Sequence, residues 1–147
     1  MRHSLRLAGL TLALATGLTS LAHADDKDTI EYRQHIMKSL NAQSAILGQI
    51  VSGAIPEDNL VQHLDVLALL ASTALKSFEP KVQGGEAKPE VWNDWGDFSK
   101  RMQEFATKTQ EASKIAHTQG GQAALANMLD VLSCKSCHDV YRAEKKK

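Results

Sequence analysis

The feature that most constrains the fold is a helical repeat of apolar side chains over four segments of the chain. The segments cover about residues 29–52, 57–76, 89–118 and 122–144, and glycines or prolines separate them. Within each segment apolar residues return every three or four positions, as on one face of an α-helix. No strand-like alternation competes with this pattern. Since short connections make neighbouring helices antiparallel, the sequence predicts an all-α, up-down four-helix bundle.

Composition and charge exclude several functional classes. The chain has 147 residues, of which 43% are hydrophobic and 23% charged. This composition is typical of one globular domain and excludes a disordered tail protein, a collagen-like chain or a multi-span membrane protein. The 17 basic and 17 acidic side chains balance, whereas a nucleic-acid-binding domain usually carries a basic excess. Nucleic acid is therefore not an expected partner.

The first 24 residues have the pattern of a secretory signal peptide. Arg2 and Arg6 precede a short apolar run, which ends in the Ala-x-Ala cleavage site Ala22-His23-Ala24. The run is too short, and too often interrupted by Thr and Gly, to be a membrane anchor. We expect cleavage after Ala24, which leaves residues 25–147 as one exported domain of 123 residues with a net charge of −2. This mature domain is expected in the periplasm, without a membrane span.

Both cysteines of the chain lie in one motif near the C-terminus, Cys134-Lys-Ser-Cys137-His138. Cys-x-x-Cys-His is the attachment signature of c-type haem: each thiol can add to one vinyl group, and the histidine reaches the iron. A zinc site would need four ligands, and no second Cys or His cluster completes one. A redox-active dithiol is expected in an α/β domain, and a structural disulfide gives His138 no role. The motif therefore predicts one covalent haem c.

Three segments together resemble the class II cytochromes c, the cytochrome c′ family. They are Cys134-Lys-Ser-Cys-His-Asp-Val-Tyr-Arg142, Tyr32-Arg33-Gln34 and Ala87-Lys-Pro-Glu-Val-Trp92-Asn-Asp, and the resemblance spans nearly all of the mature chain. It implies an antiparallel four-helix bundle that encloses the haem between its first and last helices. It further implies a set of haem contacts: Cys134 and Cys137 as covalent attachments, His138 as the proximal iron ligand, Arg33 and Gln34 at a propionate, Phe78 and Trp92 beside the haem, and Arg142 near its proximal face.

The family that the chain resembles has two branches, which differ at the sixth coordination position of the iron. In the high-spin branch an apolar residue of the first helix covers the iron without binding it, and in the low-spin branch a methionine of that helix ligates it. Counting from Tyr32-Arg33-Gln34, Met37 resembles this distal residue, and helical spacing places it on the same face as Arg33 and Gln34. The segment 33–38 is more similar to the low-spin branch. We therefore expect Met37 to ligate the iron; the alternative is a packing role, which is common for methionine.

Two functions follow from these alternatives. With His138 and Met37 as axial ligands we expect a one-electron carrier that serves redox partner proteins, since a thioether ligand raises the potential. With Met37 as a non-ligating lid we expect a five-coordinate protein that binds nitric oxide or carbon monoxide. A haem enzyme such as a peroxidase is not expected, because the stripe Arg33, Met37 and Leu40 offers no convincing base. Homodimers are common in this family, but the surface pattern does not decide between monomer and dimer.

Overall fold

The computed structural model describes residues 25–126 and 131–144. The predicted signal peptide and the lysines at positions 145–147 lie outside these ranges. Within them all regular elements are helices, and none is long and apolar enough to cross a membrane. In chain order they are α1 (Asp26–Val51), α2 (Leu60–Ala74), a 3₁₀ turn (Leu75–Phe78), α3 (Glu90–Asn93), α4 (Trp95–Gln119), α5 (Gly121–Leu125) and α6 (Lys135–Tyr141).

The first helix begins and ends at clear local signals. The Asp25 carboxylate caps α1 by accepting a hydrogen bond of 2.7 Å from the backbone N–H of Asp28. Acidic side chains in the first turn also interact favourably with the positive end of the helix dipole. Beyond the other end Gly53 has a φ of +74°, a conformation that favours glycine. These signals agree with the predicted segment 29–52.

The core lies where α2 packs against both α1 and α4. The side chains that meet there are mostly leucine and alanine, as the periodic pattern predicts. The predicted all-α fold class is confirmed. The buried apolar residues of this core include Leu40, Leu47, Leu64, Leu67, Ala71, Phe98, Met102, Ala112 and Ala116.

The third predicted segment is not one continuous helix. At Asp94 the backbone leaves the helical region, with φ −119° and ψ 52°, and separates α3 from α4. Asn and Asp are weak helix formers because their side chains compete for backbone groups, so the Asn93-Asp94 pair is a natural break. α4 then restarts at once, with the N–H of Phe98 bonded to the carbonyl oxygen of Asp94 at 3.0 Å.

The fourth predicted segment is also divided. Leu132 and Cys134 are in turns and Ser133 is irregular, so that α6 begins only at Lys135. The run from Ser133 to His138 is rich in Ser, Cys and His, which have lower helix propensity than Ala or Leu. The haem motif therefore straddles the start of a short helix rather than lying in the middle of a long one.

A polar cluster ties α2 to α4 on their outer side. The Asp65 carboxylate accepts a hydrogen bond of 2.6 Å from the Ser113 hydroxyl and contacts of 3.0 Å from Nε2 of His117. The pKa of Asp65 lies below its ordinary value, first because of the Ser113 hydroxyl and then because of His117. The ionised form of Asp65 therefore stabilises the folded state.

We predict that Leu64→Ala destabilises the fold strongly. Leu64 is 0% exposed, and truncating such a residue removes apolar contacts and leaves a cavity, at a cost of about 2–5 kcal/mol. Leu69 lies on the same helix and is 68% exposed, so Leu69→Ala serves as the control, with an expected change within about 0.5 kcal/mol. Urea unfolding followed by circular dichroism measures both. Equal losses would contradict the assigned inner face of α2.

We also predict that Asp65→Asn lowers stability near neutral pH, by less than about 1 kcal/mol because the carboxylate is partly exposed. A lowered pKa in the folded state stabilises it above the ordinary carboxylate pKa, and this contribution disappears as pH falls through the folded value. The difference in unfolding free energy between native protein and variant should therefore vanish in acid. A difference that grows on acidification would overturn this assignment.

Candidate functional site

Two adjoining cavities lie between α1, α4 and the segment that carries the Cys-x-x-Cys-His motif. Their volumes are about 690 and 360 Å³, within the range of about 300–1,000 Å³ that is usual for ligand sites. The residues that line both cavities come from all three parts of the chain, so the cavities form one site. These shared residues are Met37, Asn41, Met102, Cys137, His138 and Arg142.

The motif forms one wall of this site. Cys134 directly precedes α6, Cys137 and His138 lie within its first turns, and the backbone N–H of His138 bonds to the carbonyl oxygen of Cys134 at 3.2 Å. No disulfide joins the two cysteines, and all three side chains line the larger cavity. One helical turn therefore presents two thiols and an imidazole to the same space.

Burial shifts the pKa values of two side chains in this wall. It raises the pKa of the Cys137 thiol, so that the protonated form is favoured. Burial, and then the charge of Arg142, lowers the pKa of His138. A neutral imidazole is the form that binds a metal ion, so His138 is already in the state that an axial ligand requires.

α1 and α4 contribute four apolar side chains to the larger cavity, beside several polar ones. Met37 and Leu40 come from α1, and Met102 and Phe105 come from α4. Met37 is partly buried and packs against the hydrophobic core. The structure thus places Met37 in the same site as His138, with Leu40 and Met102 also in the lining.

Arg33 is a buried cation beside the smaller cavity. The residue is 3% exposed, and its guanidinium lies over the rings of Phe78 and Trp92, at 5.3 and 5.2 Å from their centroids. Its Nη1 and Nη2 donate hydrogen bonds of 3.0 and 2.9 Å to the carbonyl oxygens of Val82 and Gly84. Within residues 25–126 and 131–144, no acidic side chain forms an ion pair with it. A buried cation without a carboxylate partner is a favourable position for an anionic group of a ligand.

The other residues that are predicted to contact the haem differ in whether they line a cavity. Gln34 and Phe78 line the smaller cavity, and Arg142 lines both, with its Nε at 4.0 Å from Oε2 of Glu86. Trp92 lines neither; it lies behind Arg33 and donates a hydrogen bond of 3.0 Å from Nε1 to the carbonyl oxygen of Phe78. Trp92 therefore orders the residues that border the cavity rather than bordering it itself.

A strap of residues 82–88 joins the two sides of the site. Arg33 of α1 holds its beginning, as described, and its end is bonded to the end of α6: Lys88 N–H to the carbonyl oxygen of Tyr141 at 3.0 Å, and Ala143 N–H to that of Glu86 at 2.8 Å. The Lys88 ammonium adds a hydrogen bond of 2.9 Å to the carbonyl oxygen of Val140. The strap thus fixes the position of the haem-motif helix relative to α1.

The lining residues that sequence reasoning missed include Asn41 and Arg101. Asn41 follows Met37 by four residues, so the helical spacing that singled out Met37 could also have found it. Arg101 lies on α4, and no motif connects that helix to the cysteines. Only the packing of α6 against α4 brings Arg101 to the cavity.

The donor set fits a covalently attached haem. Two thiols three residues apart can form thioether links, and a neutral histidine beside them can ligate iron. The buried guanidinium of Arg33 can form an ion pair with a carboxylate. The apolar residues of α1 and α4 suit the face of a macrocycle. Among the described residues, no three His, Cys, Asp or Glu side chains cluster as an independent metal site.

Comparisons with known proteins agree with this fit. A family model described as Cytochrome C' matches residues 28–142. Cytochrome c' of Alcaligenes xylosoxydans xylosoxydans is 30% identical over 125 residues, covering 83% of this chain and 98% of that protein. Cytochrome c' of Rubrivivax gelatinosus is 29% identical over 123 residues, with 78% and 94% covered.

Solved structures extend the similarity to the whole fold. A ferrous variant of cytochrome c prime from Alcaligenes xylosoxidans with bound NO matches with a TM-score of 0.76 and 29% identity, covering 84% of this chain and 100% of that one. The ferric form from the same organism matches with a TM-score of 0.76 and 30% identity, with equal coverage. The predicted four-helix bundle is thereby confirmed.

These comparisons also correct the expected branch. The sequence favoured the low-spin branch for segment 33–38, but the matches are to cytochromes c′ and give the low-spin, Met/His-ligated branch no support. The coarser prediction, a c-type cytochrome of this family, is confirmed. The match over residues 28–142, the similarity of fold and the fitting donor set place this chain in the cytochrome c′ family, with haem c as its cofactor.

Proposed function

We propose that this protein is a periplasmic cytochrome c′ with a five-coordinate iron that binds nitric oxide or carbon monoxide. The observation that carries the proposal is the similarity, over 84% of this chain and 100% of the other, to a cytochrome c prime structure that contains NO. A second structure in the same group is a nitric oxide complex of another variant, also with a TM-score of 0.76. A one-electron carrier with Met37 as ligand is the alternative that the test below separates.

Four residues of this chain would hold the cofactor. Cys134 and Cys137 would form the two thioether links, and His138 would bind the iron from the α6 side. Arg33 would form an ion pair with a propionate. When bound, haem c supplies an iron centre that changes between ferric and ferrous states and binds diatomic gases. Gln34 borders the same cavity as Arg33, which supports the propionate contact predicted for this pair.

Met37 would act as a lid rather than as a ligand. Its side chain packs against the core beside Leu40 and Met102, and it borders both cavities. An apolar side chain in this position excludes water from the distal side while leaving the sixth position free for a small uncharged molecule. The absence of a base in the α1 stripe is consistent with a binding role and not with peroxidase chemistry.

Export of the chain supports the proposed location. The segment 1–24 has the features of a signal peptide, and covalent attachment keeps haem in an open compartment. We propose a diatomic gas as the main ligand, with redox partner proteins needed only to keep the iron ferrous.

We predict that the reduced holoprotein takes up carbon monoxide readily and that its ferric form is high-spin. Met37→Ala should then speed carbon monoxide binding about tenfold, because removing the lid lowers a steric barrier by about 1.4 kcal/mol. Met37→Leu is the matched control: it keeps an apolar lid of similar size, so its rate should stay within about threefold of the native rate. Stopped-flow absorbance measures all three proteins.

The electron-carrier alternative predicts the opposite pattern. If Met37 ligates the iron, the native protein should be low-spin and inert to carbon monoxide, and both Met37→Ala and Met37→Leu should become high-spin and gas-binding. That result would overturn the five-coordinate proposal. It would not change the assignment of the chain to the cytochrome c′ family or the identity of its cofactor as haem c.

We predict that Cys137→Ser abolishes or strongly reduces full covalent haem attachment, because one of the two thioether links is lost. Ser136 lies between the two cysteines, and its hydroxyl donates a hydrogen bond to the carbonyl oxygen of Ser133. Ser136→Ala therefore serves as the control, with normal attachment expected. Mass spectrometry of the purified proteins and the haem retained after acid-acetone extraction provide the readout. Complete two-link attachment in Cys137→Ser would contradict the site.

A further inference from the structure

Tyr141 anchors the helix that carries His138. It is the buried side chain of α6, at 4% exposure, and it follows His138 by three residues. Its ring meets that of Phe98 edge-on, with centroids 5.1 Å apart, and its hydroxyl donates a hydrogen bond of 2.5 Å to Oδ2 of Asp97. With only 7 residues, α6 is too short to be stable by itself, so these contacts fix its position.

Asp97 joins this anchor to a cation on the cavity wall. The same Oδ2 accepts a hydrogen bond of 2.5 Å from Nε of Arg101, one turn further along α4. Arg101 lines the larger cavity together with Cys137 and His138, whereas Asp97 lines neither cavity. One carboxylate oxygen therefore holds both the haem-motif helix and a guanidinium that faces the site.

The hydrogen bonds of this cluster shift the pKa values of Asp97 and Tyr141 in opposite directions. The hydrogen bond from Arg101, and then that from Tyr141, lowers the pKa of Asp97. Burial, and then the bond to Asp97, raises the pKa of Tyr141 to about 12. Near neutral pH the cluster therefore consists of one carboxylate between a neutral hydroxyl and a permanent cation, which are two strong donors to one acceptor.

We propose that Asp97 is a positioning residue of the haem site: through the Tyr141 hydroxyl it orients the helix of His138, and through Arg101 it fixes a positive charge beside the haem. The inference rests on the haem site proposed above. Asp97 acts through these two residues and touches neither ligand nor cofactor.

Each half of the proposal has its own consequence. A fixed cation favours the ferrous state, which carries one positive charge less than the ferric state, and an anion favours the ferric state. Arg101→Gln should therefore lower the reduction potential of the holoprotein, and it should lower it less in a protein where Asp97→Asn has already released the guanidinium. Tyr141→Phe keeps the ring that packs on Phe98 but removes the hydroxyl, so it should loosen α6 without removing a charge.

The experiment uses the ferric holoprotein and these three variants. We expect Tyr141→Phe to increase the rate of amide hydrogen exchange in residues 138–141 about tenfold, the effect of losing one hydrogen bond to a charged group. Spectroelectrochemical titration near neutral pH should show that Arg101→Gln lowers the potential, and that the same change lowers it less in a protein that already carries Asp97→Asn. Asp65→Asn is the matched control, because Asp65 also accepts hydrogen bonds across two helices but lines neither cavity. It should change neither readout.

Two outcomes overturn the inference. Unchanged exchange of the α6 amides in Tyr141→Phe removes the orienting role. A potential that Arg101→Gln leaves unchanged, or lowers equally with and without Asp97→Asn, removes the electrostatic role. Failure of the native ferrous protein to bind carbon monoxide would instead overturn the proposed function. The exchange and potential measurements do not depend on gas binding, so the two failures are distinguishable.

Discussion

The site depends on one constraint: the helix that presents His138, the proposed iron ligand, is too short to hold its own position. α6 has 7 residues, and isolated helices of that length are unstable in water. Its position is set from outside by the strap of residues 82–88, which bonds to Tyr141 and Ala143, and by the hydrogen bond from Tyr141 to Asp97. Because these bonds come from two other parts of the chain, the cavity wall is a product of tertiary structure.

The buried Arg33 has a related role on the other side of the site. Its two hydrogen bonds to the strap connect α1 with the segment that holds α6, so one guanidinium links both walls. Phe78 and Trp92 flank it, and cation–π contacts of this kind partly offset the cost of burying the charge. A propionate would supply the missing negative charge, and haem binding would then strengthen the same link between α1 and the strap.

Much of this arrangement is local and was predictable from the sequence. Helical periodicity and end signals gave α1 and α2, and the spacing within Cys134–His138 gave the haem motif, since each depends on residues within a few turns. The breaks at Asp94 and around Ser133 were not predicted, because the apolar repeat continues through them. Arg101 could not be assigned to the site because its place there depends on how α4 packs against α6. The state of Met37 is likewise not decided by its helix face: the same position suits a ligand and a lid.

The central claim is that the iron has no sulfur ligand, although Met37 lies in its cavity. X-ray absorption at the iron edge of the ferric holoprotein tests this claim most directly, because it reports the atoms bound to the metal. The sulfur atoms of Cys134 and Cys137 would form the thioether links to the macrocycle and would not bind the iron. We predict a coordination shell with the His138 nitrogen as the axial protein ligand and no sulfur. A sulfur atom bound to the iron would identify Met37 as a ligand and contradict the account.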